Sequence, residues 1–100
     1  MRDLLERAPD LDAVFVNSDL MAIEAMTIIR ERGHRVPEDI AVVGYDDLSI
    51  ATYTNPPLTT IRQNIPLAGR LLAENLLNYL QTGVVTNMSI PVELIIRQSA

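Results

Sequence analysis

The sequence predicts an α/β protein, a three-layer αβα arrangement around a mostly parallel sheet. Two short apolar runs, AVFVN at 13–17 and IAVVG at 40–44, show no polar alternation. That is the pattern of strands covered on both faces. Longer segments of helical period alternate with the strands, as parallel crossovers require. Punctuation residues, Pro9, Gly33 and Gly83, follow the helical segments.

Residues 2–8 (RDLLERA) read as the tail of a helix, and 13–17 as the first strand. The second helix is predicted over 19–32, with Ser18 as N-cap and Asp19 favouring the positive helix start. Its polar residues Glu24, Thr27 and Glu31 form one narrow stripe, so the helix is expected to be buried on two sides. The second strand covers 40–44. A polar loop from Tyr45 to Asn55, with room for one short helix, leads to Pro56-Pro57 and a third strand at 58–62. A long helix is predicted over 66–81, with Pro66 in its first turn and Gly83 beyond its end. Arg70, Glu74, Asn78 and Gln81 form its solvent stripe. The last strand is predicted over 89–97, where Pro91 indicates an edge or a crossing.

Composition excludes several functions. Of 100 residues, 48% are hydrophobic, enough for one small packed domain. Acidic residues outnumber basic ones 13 to 8, for a net charge of −5. The bases are all arginine and are scattered, so no phosphate-tracking patch is visible. The absence of cysteine excludes disulfides, thiol nucleophiles and cysteine metal sites, and fits a reducing compartment. The one histidine, His34, follows a helix-ending glycine, at the end of the fold opposite the strand tips, and reads as a solvated loop residue. No zinc set and no Ser-His-Asp arrangement is assembled. No segment matches a membrane span or a signal peptide.

In open parallel sheets, ligands bind beyond the carboxyl ends of the strands. Three polar clusters fall there: Asn17-Ser18-Asp19, Tyr45-Asp46-Asp47 and Arg62-Gln63-Asn64. Each has a plain structural reading on its own, as helix cap, turn or solvated loop respectively. Their coincidence at one predicted edge points to a site. Carboxylates, amides and hydroxyls together suit the fixed donors and acceptors of a sugar or polyol. Asp46 and Asp47 also fit a magnesium ion beside a phosphate, and Asp46 a phospho-acceptor, but no glycine-rich phosphate loop and no lysine accompanies them.

The stretch AVFVNSDLMAIEAM, then RVPEDIAVVGYDDLSIATYTNPPLTTIRQ, then PVELIIRQS, resembles the C-terminal part of the lactose-repressor/galactose-repressor family. The likeness covers nearly the whole chain, and RVPEDIAVVGYDD followed by PPLTTIRQ is its most specific part. The resemblance implies part of the C-terminal lobe of an effector-binding domain similar to periplasmic sugar-binding proteins. Residues 1–63 would form the lobe, 64–88 a helix that packs on an N-terminal lobe outside the chain, and 89–100 the terminal strand. A helix-turn-helix DNA-binding headpiece would also lie outside it.

The resemblance further implies that Asp46 contacts the effector, with Ser18 and Gln63 facing the same cleft. Asn17 and Tyr45 are the flanking candidates, and Asp19 is a structural helix-start residue. It implies a homodimer through the helix at 19–32 and the loop near Tyr53, with Ile23, Met26 or Thr27, and Tyr53 as candidates. A cytoplasmic, non-enzymatic regulator without cofactor or metal is expected. The alternative is a periplasmic sugar-binding component of a transporter. A phospho-acceptor or magnesium-dependent enzyme using Asp46 is the remaining possibility.

Overall fold

The computed structural model describes all residues from Met1 to Ala100. The elements are α1 (Arg2–Arg7), β1 (Ala13–Phe15), α2 (Asp19–Glu31), β2 (Ala41–Tyr45), a 3-10 turn (Ser49–Thr52), β3 (Thr59–Gln63), α3 (Ile65–Thr82) and β4 (Val92–Ile95). The sheet order is β1-β2-β3-β4, with β1–β2 and β2–β3 parallel. This is the mostly parallel α/β class that the alternation of strand and helix predicts. The chain divides into two compact units, Met1–Arg62 with Glu93–Ala100, and Gln63–Val92.

In the first unit, register sets which side chains meet α2. Val14 lies opposite Val42, and Gly44 opposite Thr60. Because side chains alternate along a strand, these four share one face. Val42, Ile40 and Leu58 are buried with Ala22, Met26 and Ile29 of α2. The spacing 22, 26, 29 is one stripe of a 3.6-residue period. Phe15, Val43, Tyr45 and Ile61 fall on the opposite face and are half-buried or exposed. Phe15 and Tyr45 pack there edge to face, ring centres 6.2 Å apart.

Met26 corrects one expectation. It has no exposed surface and sits in the core of its own chain, so it cannot also be a dimer contact. Ile23 is half-buried and Thr27 exposed, with the Thr27 hydroxyl donating to the Ile23 carbonyl. An apolar helix with little polar patterning does not disclose which apolar residues turn inward.

Other boundaries shift by one to three residues. The first strand stops at Phe15, which leaves Asn17 and Ser18 in the turn. The last strand starts only at Val92, after Pro91, which has no N–H to give a ladder, and it ends at Ile95. Beyond it the tail is still held. Ser99 is fully buried, and its carbonyl accepts from the Val42 N–H at 2.7 Å. Its hydroxyl donates to the Val42 carbonyl and accepts from the Thr59 N–H, joining the starts of β2 and β3.

The second unit is α3 and the segment that follows it. Asn64 caps the helix, its Oδ1 accepting from the Leu67 N–H at 3.1 Å. Gly83 ends it at φ 70°, a left-handed position that favours glycine, and its N–H reaches the Tyr79 carbonyl. The chain then turns back so that the Asn75 amide pairs with the Thr86 backbone at 2.6 and 3.4 Å. No residue of α3 is buried. No helix is long and apolar enough to cross a membrane.

Candidate functional site

Parallel pairing of β1, β2 and β3 puts their carboxyl ends on one edge; the first predicted cluster follows the end of β1, while the other two begin in the last residues of β2 and β3. Ser18 is the N-cap of α2, in extended conformation, and its carbonyl accepts the Ala22 N–H. Its hydroxyl makes no cap bond to the helix. The plain reading of Ser18 as a side-chain cap therefore loses its support. Asn17 is exposed, and it also borders an otherwise mainly apolar groove of about 450 Å³ beside β1, lined by Leu4, Phe15, Met21 and Ile28. Tyr45 lies inside β2 rather than after it, with its ring against Phe15. Gln63 is the last residue of β3 and the first of the second unit.

Asp19 joins the first two strand ends. It is fully buried at the start of α2. Its Oδ1 accepts the Thr60 hydroxyl and its Oδ2 the Leu48 N–H, the latter at 2.7 Å. One carboxylate thus ties the turn carrying Ser18 to the loop carrying Asp46. Gly44 makes room for it: a Cβ there would stand 2.3 Å from Asp19 Oδ1. The structural role expected of Asp19 fits this placement.

Asp46 and Asp47 are consecutive residues with positive φ, 103° and 51°. Neither is glycine, although Asp is among the residues that tolerate such conformations. The Asp46 N–H is fixed to the Ile61 carbonyl at 2.9 Å. Asp47 is held by its side chain, which is 9% exposed. Arg62 Nε donates to Oδ2 at 2.7 Å, and Arg97 Nη2 to Oδ1 at 2.6 Å. Burial alone would raise the Asp47 pKa, but the hydrogen bonds and charges of the two arginines outweigh it and hold the carboxyl below its usual range. Both oxygens accept from guanidinium groups, so the Asp47 charge is balanced by two cations of its own chain.

The Asp47 clamp is what sequence reasoning missed. Arg97 lies 50 residues away in sequence, and Arg62 lies 15. The available signal was a lone arginine closing the apolar run VELIIR. A charge there needs a partner if it is buried, and its side chain is only 17% exposed.

Comparison with known proteins decides the family. A model for the periplasmic binding protein-like domain matches residues 1–100. The chain belongs to that family. Its relatives are regulators of the lactose-repressor/galactose-repressor type, as the motifs implied. It is 49% identical over 96 residues to the HTH-type transcriptional regulator CelR of Thermobifida fusca, covering 96% of this chain and 27% of that protein. It is 40% identical over 77 residues to the ribose operon repressor of Haemophilus influenzae, covering 77% of this chain and 23% of the relative. Among solved structures it superposes on a CelR–cellobiose complex with a TM-score of 0.88 at 42% identity, covering 99% of this chain and 31% of the other. It superposes on a lac repressor dimer bound to operator and the anti-inducer ONPF with a TM-score of 0.82 at 40% identity, covering 97% and 34%. The chain thus spans about a quarter of the length of the curated relatives it matches.

Proposed function

We propose that this chain is the effector-binding and dimerisation part of a transcriptional repressor, taking a sugar-like polyol beyond the carboxyl ends of β1, β2 and β3. The observation that carries this is the Asp46 turn, fixed beside a Ser18 turn whose hydroxyl is not spent on the helix. Ser18, Asp46 and Gln63 are the effector contacts in this reading, flanked by Asn17 and Tyr45. That relatives at 40–49% identity are transcriptional regulators favours it over a transporter component. The role is binding rather than catalysis, and a cytoplasmic location goes with it.

The mechanism is a population shift. Effector favours one of two lobe arrangements, and only its unequal affinity for the two can change the spacing of DNA headpieces in a dimer. DNA contact belongs to a headpiece outside this chain, which has no basic footprint of its own. Half of the cleft would also come from outside it. Ile23, Thr27 and the Tyr53 loop are the proposed isologous contact, and Tyr53 is 84% exposed.

Calorimetric titration of a sugar panel that includes cellobiose tests this. In the longest polypeptide containing the chain, Asp46→Ala should weaken binding of the sugar that binds by about tenfold or more, the scale of a charge-assisted hydrogen bond. The 100-residue chain alone should bind weakly or not at all. Unchanged affinity in the Asp46→Ala protein, or tight binding by the isolated chain, overturns the proposal.

A further inference from the structure

We infer that Arg97 is a positioning residue for the effector site, setting the backbone at Asp46 by clamping the neighbouring Asp47. This rests on the reading of Asp46 as an effector contact. The geometry is specific. Arg97 divides its guanidinium between two places: Nη2 donates to Asp47 Oδ1, and Nη1 donates to the Leu58 carbonyl at 2.7 Å. Its backbone N–H donates to the Thr59 hydroxyl at 2.9 Å. The segment just after β4 is thereby locked to the start of β3, and the head of the same residue reaches the loop after β2. Arg62, on β3, holds the other Asp47 oxygen.

Two adjacent non-glycine residues at positive φ persist only where the surroundings over-determine them. At Asp46 the backbone bond to Ile61 supplies one restraint. The Asp47 N–H lies 3.4 Å from the Thr60 hydroxyl, a long contact that cannot fix the turn alone. The paired charges on the Asp47 side chain are the strongest restraint present. Arg97 is the better placed of the two arginines to supply it, because its side chain is 17% exposed while that of Arg62 is 51% exposed and also shared with Glu93. The last residues of the chain therefore bear on effector recognition without touching the effector.

Solution NMR of the 100-residue chain tests this directly. Residues at positive φ give strong intraresidue amide-to-Hα cross-peaks, so Asp46 and Asp47 report their own conformation. Arg97→Gln should weaken both cross-peaks and broaden or shift both amides. Asp47→Asn should do the same while leaving Arg97 bonded to Leu58 and Thr59, so amide protection at Arg97 and Gln98 should survive. Asparagine tolerates positive φ as well as aspartate does, so a change in that variant reports the lost ion pairs. If Asp47→Asn leaves the Asp46 cross-peak as in the unaltered chain, Arg97 merely anchors the tail and the inference fails. That outcome is distinct from failure of the effector reading, because the turn is measured with no sugar present.

Discussion

The two compact units solve the same problem in opposite ways. Met1–Arg62 with Glu93–Ala100 buries its apolar residues between α2 and the sheet, down to 0% exposure for Ala22, Met26, Ile29, Val42 and Leu58. Gln63–Val92 has a helix far richer in leucine than α2 and fully buries none of it: Leu72, Leu76 and Leu80 are 69%, 57% and 71% exposed. The difference lies in partners rather than composition. A helix stripe stabilises only what it packs against. The first unit therefore holds the stability of the chain, and the second holds an unspent apolar surface.

Deleting core volume tests the first half of that contrast, and the largest effect is expected at Met26. It is fully buried and central to α2. Met26→Ala should cost about 2–5 kcal/mol, the usual range for such truncations. Urea titration followed by circular dichroism measures it. A loss under about 1 kcal/mol would show that this unit is not the main source of stability.

A smaller effect is expected from acid, also confined to the first unit. The Asp47 carboxyl is held below its ordinary range by Arg97 and Arg62 against the opposing effect of burial. A group whose pKa is depressed on folding stabilises above its unfolded value, roughly 3.9 for Asp. That contribution is present at neutral pH and is lost as pH falls through the folded value. The unaltered chain should therefore lose more stability between pH 5 and pH 3 than Asp47→Asn does, as melting temperatures at each pH would show. Equal losses would mean that the arginines do not stabilise the charged form.

Much of this arrangement was legible in the sequence, and for local reasons. Strand runs, helix periods, and the stops at Gly33 and Gly83 are written within a few residues, and they suffice to place three strand ends on one edge. The family motifs carried the assignment further than periodicity did. What stayed hidden depends on contacts distant in sequence. The Asp19–Thr60 bond spans 41 residues and the Asp47–Arg97 pair 50. Local pattern has no access to either. Met26 was misplaced for a different reason: α2 is apolar on more than one side, and only the register of β2 against it decides which stripe goes inward. Asn64 as the cap of α3 needed no distant contact, but the proline two residues later drew the predicted helix start to itself.

The smallest effect on stability is expected in α3, where the contrast between the units is sharpest. Replacing Leu76 by Gln removes an apolar side chain that is already 57% exposed. With no buried contact to lose, the change should move chain stability by no more than about 0.5 kcal/mol. Association is where it should show. Contiguous exposed leucines on one helix favour contact with any apolar surface offered, so the unaltered chain should self-associate with concentration in light scattering. Leu72, Leu76 and Leu80 lie at i, i+4 and i+8 and share one face, so the triple change to Gln should return the chain to a monomer. A chain that is monomeric before any substitution would mean that α3 finds its cover within its own polypeptide, and the difference drawn between the two units would then disappear.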